Sequence, residues 1–155
     1  IKDNGEPDIK DSVLKQLDVV TASIHSGFKG SEEKLNKRTI MAMENSNVDI
    51  IGHPTGRLLQ KREPFAINLN KVFEKAKETG TCLEISSFPT RADLKEIHIR
   101  QAIRNKVKLV ISTDSHEVSH QEFMQFGVWQ ARRGWAEAKD IMNTLPLQKF
   151  LKSLK

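Results

Sequence analysis

The segment KLVISTDSH, residues 108–116, decides the fold, because an apolar run rich in β-branched residues ends there in an acidic residue and a histidine. A short run of this composition predicts a buried strand of a parallel sheet. A helix-like stretch at residues 93–104 precedes it, and another apolar run, Thr81 to Ser86, stands before that helix. The order strand, helix, strand indicates a βαβ unit.

The same pattern recurs towards the N-terminus. Strands are predicted at residues 19–24, ending at His25, and at residues 48–52, ending at His53. Helices are predicted at residues 10–17, 31–44, 68–78 and, in a helical tail, at 136–142 and 146–154. Four successive βα units predict an α/β fold of parallel strands alternating with helices, either in an open doubly wound sheet or in part of a barrel.

Composition restricts the class of protein. The 155 residues, 37% of them hydrophobic, suffice for one domain with its own core. No apolar run approaches the roughly 20 residues that a membrane span needs, so we expect a cytoplasmic protein with no membrane contact. The single cysteine, Cys82, is expected to be a small buried hydrophobe. A net charge of +5 favours an anionic partner such as nucleic acid or a phosphate ester, although most basic residues have the spacing of a solvated helix face.

Four polar residues mark the C-terminal ends of predicted parallel strands: His25, His53, Asp114 and His116. Binding and catalytic sites of α/β folds are built at these ends. Imidazoles and a carboxylate are natural ligands for zinc, manganese or iron. A single histidine at a strand end is more often structural, but three converging strand ends favour a metal site.

Five motifs resemble, in the same order, those of the PHP (polymerase and histidinol phosphatase) domain found in bacterial and archaeal family X DNA polymerases. They are ASIHSGF (22–28), GHPTGRLL (52–59), LEI (83–85), ISTDSH (111–116) and ARRGW (131–135). The resemblance covers nearly the whole chain and identifies residues 1–155 as the C-terminal part of a PHP metallophosphoesterase domain. It implies a partial, distorted βα barrel, seven-stranded when complete.

The resemblance also implies an activity. The expected reaction is phosphodiester hydrolysis at a centre of up to three divalent metals, Mn or Zn, with His25, His53, Asp114 and His116 as ligands by motif match. In the polymerase branch this activity is a 3′-5′ exonuclease that processes DNA 3′ ends in repair. Clustered metals can activate a water molecule, so no side-chain nucleophile is expected.

The chain departs from the family pattern at its beginning. The family's paired histidines on the first strand, and further acidic and histidine ligands, are absent, and the start at residues 1–5 is polar and lacks methionine. We therefore expect a fragment that is inactive alone and is completed by an upstream half and a polymerase domain. A smaller departure is Ser86, where the family often has asparagine.

Other residues have two interpretations each. Three arginines follow predicted strand ends and could bind backbone phosphates of DNA, or could be solvated loop charges: Arg57, Arg62 and Arg91. Glu84 could line the site, or form a cap or salt bridge. Trp129 and Trp135 are expected to anchor the core rather than to stack on nucleobases.

Two other functions stay open beside the DNA nuclease. One is a small-molecule phosphoesterase of the histidinol phosphatase type, which the ARRGW motif and the positive charge disfavour. The other is a non-catalytic scaffold that positions a polymerase on DNA, which the incomplete ligand set allows. The sequence immediately upstream would discriminate between the three.

Overall fold

A four-stranded parallel sheet organises the chain in the computed structural model, which describes all of residues 1–155. Its strands are β1 (Thr21–Ala22), β2 (Ile50–Ile51), β3 (Cys82–Ser86) and β4 (Leu109–Ser112), and they lie in the order β1-β2-β3-β4. Each strand pairs with the next one along the chain, which is the winding of a barrel; a doubly wound sheet reverses its strand order. The predicted α/β class and the partial βα barrel are confirmed.

Helices connect and follow the strands. The first turns of the second and third helices are capped by side chains, since Ser31 accepts a hydrogen bond from the Lys34 amide and Asn68 accepts from the Lys71 amide. None of the helices combines the length and hydrophobicity that crossing a membrane requires. The helices are α1 (Asp11–Leu14), α2 (Glu32–Glu44), α3 (Leu69–Thr79), α4 (Glu96–Arg104), α5 (Met124–Arg133) and α6 (Leu147–Ser153), with 3₁₀ turns at Val118–Phe123, Ala138–Asp140 and Met142–Thr144.

The sheet buries both of its faces. Ile51 and Leu83 point into a cluster of 20 buried apolar residues shared with the helices. Alternate residues point the other way, so Ile50 and Cys82 lie on the opposite face, where Phe150 of α6 packs against them. Cys82 is fully buried, and burial raises the pKa of its thiol to about 11. The prediction that this cysteine is a small buried hydrophobe is confirmed.

Several predicted boundaries move, and both β2 (Ile50–Ile51) and α1 (Asp11–Leu14) are shorter than the predicted 48–52 and 10–17. The first strand is confined to Thr21–Ala22, shorter than the predicted 19–24. The fourth helix begins at Glu96 rather than at Asp93. Asp93 is fully buried in the preceding loop, where its carboxylate accepts hydrogen bonds from the amide and the hydroxyl of Thr55, each at 2.9 Å. The carboxylate therefore fixes a loop instead of starting a helix.

The predicted helix at residues 136–142 is wrong. Ile141 instead pairs in parallel with Leu109, beside the edge of β4. The Asn143 side chain accepts from the Ile111 amide at 3.1 Å and donates to the Ile111 carbonyl at 2.8 Å. These bonds hold the segment along the sheet edge and explain why it forms 3₁₀ turns and not a helix.

The two tryptophans are not core anchors, contrary to the prediction. Trp129 is 53% exposed and Trp135 is 69% exposed. Helix α5 approaches the sheet through its small residues, Gly127 and Ala131, and this directs its large side chains outward. Trp135 lies beyond the helix end, where the Arg100 guanidinium sits 4.1 Å from its ring centre.

Candidate functional site

Two of the predicted ligands meet at the C-terminal ends of β1 and β2. The parallel register pairs Ala22 with Ile51, so His25 and His53 leave neighbouring strands at nearly the same level. Their Nε2 atoms are 3.2 Å apart, and their rings are tilted by 55°. His53 is 4% exposed, whereas His25 is open to solvent on its outer side.

Glu84 of β3 binds the backbone of His53. One Glu84 carboxylate oxygen accepts a hydrogen bond from the His53 backbone amide, and the other accepts from the Ser112 hydroxyl of β4. Gly52 leaves room for Ser23 on the neighbouring chain segment, because a Cβ at that position would lie 2.4 Å from the Ser23 hydroxyl. Glu84 is 3% exposed, and burial raises its pKa to about 7 despite the two hydrogen bonds. Glu84 thus braces the sheet end and positions His53.

The electrostatic environment keeps both imidazoles neutral. Burial, and after it the positive charge of Arg91, lower the pKa of His53 to about 4. The pKa of His25 is also lowered, chiefly by burial of part of its ring, and the positive charge of Arg91 contributes. Neutral imidazoles retain a nitrogen lone pair, so both rings are suited to bind a cation.

The third predicted ligand, Asp114, is held by an arginine. Arg91 Nε donates to Asp114 Oδ2 at 2.9 Å, and the pair is largely shielded from solvent. The Arg91 Nη1 group is buried and has no hydrogen-bond partner. His116 is exposed, and its Nδ1 lies 2.7 Å from the Asp114 carbonyl oxygen. The imidazole of His116 therefore contacts the backbone of its own loop.

Backbone strain coincides with two of the predicted ligands. His53 has a φ of 31° and Asp114 a φ of 50°, values that residues with a side chain rarely adopt. Such strain persists only where surrounding contacts impose it, and it concentrates at functional sites. The hydrogen bond from the His53 amide to Glu84 is one contact that holds the His53 backbone in this conformation. The ion pair with Arg91 is one that holds Asp114.

The donor set fits a divalent metal ion in part. Zinc–nitrogen bonds of about 2.0–2.1 Å place two ligand nitrogens roughly 3.0–3.4 Å apart, and the 3.2 Å separation in the structure falls within this range. No group of three or more His, Cys, Asp or Glu side chains is arranged to hold a metal ion. Two nitrogen donors are in place, and Asp114 would have to leave Arg91 to add a third.

The three arginines occupy different positions. Arg57 is 8% exposed and donates to the backbone carbonyls of Arg91 and Ala92, so it secures the loop after β3. Arg62 donates to the Gly56 carbonyl and lies 3.9 Å from the centre of the Phe28 ring. Arg91 alone faces the two histidines. Whether any of these residues binds substrate stays a prediction, as do the ligand roles of the four strand-end residues.

Sequence reasoning missed two features of this region. Ser112 bonds Glu84 and was not recognised, because nothing in a single serine signals its partner on the next strand. A row of aromatic rings also runs from the loop after β4 along α5. The signal was available for the second feature, since Phe123, Phe126 and Trp129 repeat every three residues and so lie on one side of a helix.

Comparisons with known proteins show clear relatives, although no protein-family model matches the chain. The DNA polymerase/3′-5′ exonuclease PolX of Bacillus subtilis (strain 168) is 41% identical over 145 residues, which are 94% of this chain and 25% of that protein. A probable phosphatase of Caldanaerobacter subterraneus is 36% identical over 123 residues, 74% of this chain and 46% of that protein. A probable phosphatase of Clostridium acetobutylicum is 32% identical over 124 residues, 75% of this chain and 48% of that protein. The chain thus spans a quarter of the polymerase and just under half of these phosphatases.

Proposed function

We propose, from the premise that this chain is a relative of the PHP domain found in family X DNA polymerases, that it forms part of a metal-dependent site for hydrolysing phosphodiester bonds at DNA 3′ ends. The observation that carries the proposal is the 3.2 Å approach of His25 Nε2 to His53 Nε2, beside an Arg91–Asp114 ion pair whose charges act on the pKa of both imidazoles. Imidazole and carboxylate groups bind divalent metals, and guanidinium binds phosphate. One cluster thus offers both kinds of recognition that the reaction needs.

Both the histidines and the carboxylate would act as metal ligands. His25 and His53 would bind a divalent ion such as Mn²⁺ or Zn²⁺ through their Nε2 atoms, and Asp114 and His116 would add donors from the loop after β4. When bound, such an ion acts as a Lewis acid and provides an activated water. The lowered pKa values of His25 and His53 keep their nitrogens unprotonated at neutral pH.

Arg91 would bind the phosphate group of the substrate. In the structure its guanidinium neutralises Asp114, and its Nη1 group lacks an acceptor. If Asp114 turns towards a metal ion, Arg91 is released beside it, where it can donate to a phosphate oxygen. Without ligands, the ion pair therefore keeps Asp114 near the proposed metal position and Arg91 near the proposed phosphate position.

We propose further that residues outside 1–155 complete the site. Two nitrogen donors are too few for a stable site, and fewer than three candidate ligands are arranged together here. Residues 1–155 alone should then hydrolyse little, and the protein that joins them to their complement should be active.

A phosphatase acting on a small phosphate ester is the second candidate. Its support is the similarity to proteins named probable phosphatases. The higher identity and longer match to the polymerase/exonuclease, together with the net charge of +5, favour DNA as the substrate and partner. A scaffold without catalytic activity would be indicated if neither substrate class were hydrolysed.

The test compares the full-length protein with its Asp114→Asn variant. Asparagine keeps the shape and removes the charge, so Mn²⁺-dependent shortening of a 5′-labelled single strand should be abolished. Asp18→Asn, the same change at an exposed position, should leave shortening intact. Undiminished degradation by Asp114→Asn would remove Asp114 from the site. Hydrolysis of a phosphate monoester without shortening of DNA would select the second candidate.

A further inference from the structure

Helix α5 presents large apolar side chains to solvent. It buries Gly127 and Ala131 against the sheet, and a Cβ at Gly127 would lie 2.0 Å from the Ser87 hydroxyl. On its outer side Phe126 is 37% exposed and Trp129 is 53% exposed. Because small residues make the helix contact, the aromatic rings are left for something other than the core.

These rings belong to an aromatic row of five side chains. Consecutive ring centres are 5.1 Å apart from Phe88 to His120, 5.0 Å from His120 to Phe123, 6.0 Å from Phe123 to Phe126 and 5.4 Å from Phe126 to Trp129. The row begins at the candidate site's own loop, where the His116 amide donates to His120 Nδ1 at 3.2 Å. It therefore leads from the proposed phosphodiester site to the surface of α5.

A cavity of about 380 Å³ lies beside this row, between Phe88 at one end and Phe126 and Trp129 at the other. Its size is at the small end of the roughly 300–1,000 Å³ typical of ligand pockets. Aromatic side chains supply part of its walls, and polar groups supply the rest. The apolar wall includes Phe88, Phe126 and Trp129, and the polar wall includes Ser87 and Arg133.

Ser87 gives the strongest indication of a ligand. It lies on the face of the sheet that α5 covers, beside Gly127, whereas Ser86 lies with Glu84 on the opposite face. Ser87 is 1% exposed, yet its hydroxyl has no hydrogen-bond partner. Buried hydroxyl groups are normally satisfied, because an unmade bond costs free energy. Such a group at an aromatic pocket calls for a ligand that brings a hydrogen-bonding atom on the edge of a flat ring.

We propose that this pocket receives a nucleobase of a single-stranded nucleic acid whose phosphodiester bond lies at the candidate site, an inference that rests on the proposed function. The base would stack on Trp129 and Phe126 and present its polar edge to Ser87. Arg133 lies at the rim with its side chain 70% exposed, and its nearest acidic partner, Glu96, is 3.7 Å away. This guanidinium is free to contact the adjacent phosphate.

The pocket favours a nucleobase over a protein partner. A protein would cover the flat outer face of α5 but would leave the enclosed Ser87 hydroxyl unpaired. A base satisfies both the aromatic walls and the enclosed hydroxyl, and its phosphate matches the charge of Arg133. A protein partner remains an outcome that the test can reveal.

The chain's two tryptophans provide the test, because one is in the pocket and the other is not. Trp135→Phe leaves Trp129 as the only tryptophan of residues 1–155, and Trp129→Phe leaves Trp135 as the matched control. The probe is a single-stranded thymidine oligonucleotide of about eight nucleotides, a length within the usual site sizes. An abasic strand of equal length tests the backbone alone. Fluorescence is recorded with residues 1–155 and with the full-length protein, without added metal.

The thymidine strand should quench Trp129 in the Trp135→Phe protein and leave Trp135 unaffected in the Trp129→Phe protein. The abasic strand should quench neither. Trp129→Ala should weaken binding about 5- to 100-fold, as loss of one stacked base does. Ser87→Ala should weaken it several-fold while the protein without DNA becomes no less stable in urea, because the hydroxyl that is removed has no partner. Equal quenching by the abasic strand, quenching of Trp135 alone, or no quenching would overturn the proposal, as would self-association that buries Trp129.

Failure of the pocket and failure of the proposed function give different results. Quenching requires neither metal nor turnover, so it can occur in a protein that hydrolyses nothing. Conversely, hydrolysis of DNA with no quenching of Trp129 would leave the phosphodiesterase proposal intact and remove the base pocket.

Discussion

The Nε2 atoms of His25 and His53 lie 3.2 Å apart although the residues are 28 positions apart in the chain. Adjacent parallel strands are only about 4.8 Å apart, so residues that leave them at the same level are brought into contact. Two neutral imidazoles at this distance either share one proton in a hydrogen bond or share a cation. The first prediction separates these possibilities.

His53→Ala should weaken Zn²⁺ binding by more than the about 10- to 100-fold loss typical of residues that only support a ligand. The reason is that the variant removes one of the two nitrogens already in place. Equilibrium dialysis with metal analysis measures the effect. His98→Ala removes a half-buried imidazole of α4, away from the site, and should bind as the wild type does. Equal affinities for wild type and His53→Ala would show that the histidine pair is only a hydrogen bond.

Glu84→Ala should destabilise the protein by about 1–3 kcal/mol for each buried donor left unpaired. The donors are the His53 amide and the Ser112 hydroxyl. Glu84→Gln keeps one oxygen acceptor and should cost less. Urea unfolding monitored by circular dichroism measures both changes, with Glu74→Ala, an exposed position on α3, as the control. If alanine and glutamine proved equally mild, Glu84 would not be the brace that the geometry indicates.

Gly127→Ala should lower the free energy of unfolding by about 1–3 kcal/mol. Alanine favours a helix by about 1 kcal/mol over glycine, but its Cβ would meet the Ile111 side chain at 2.5 Å and the Ser87 hydroxyl at 2.0 Å. Thermal unfolding gives the sign directly. Gln125→Ala, on the exposed side of the same helix, should have little effect. A stabilised Gly127→Ala protein would mean that α5 does not press on the sheet here.

Stability should fall as the pH rises from about 4 to about 6, in part through Asp93. Burial raises the pKa of this carboxyl from 3.8 to about 6, so between these values the folded protein binds a proton that the unfolded chain releases. Folding is therefore favoured by Asp93 at low pH, and the advantage is lost as the pH passes the folded pKa. Urea unfolding at pH 5 and pH 8 measures the change.

Asp93→Asn provides the control for this pH effect. Asparagine can accept from the Thr55 amide and donate to the Thr55 hydroxyl, but it cannot ionise. The difference in stability between the two pH values should shrink in the variant. An unchanged difference would assign the pH dependence to other groups.

The sequence by itself determined the class of fold and the level of the site. Short β-branched runs alternating with helices required parallel strands, and residues directly after those runs, such as His25 and His53, had to lie at one edge of the sheet. Burial of Cys82 also followed from its apolar neighbours. These features depend on local pattern and on the fixed geometry of the βα unit, so a single sequence contains them.

Only the tertiary structure decided which side chains became partners. The sequence marked Arg91 and Asp114 separately, but not that they would pair, and it gave no sign that Glu84 would join His53 to Ser112. It also placed Trp129 in the core, since a large aromatic side chain is normally buried. The outcome depended on Gly127, whose missing Cβ lets α5 lie close to the sheet and turns Trp129 outward. Pairing and close approach arise between residues distant in the chain, and local pattern cannot specify them because they are set only when the elements pack.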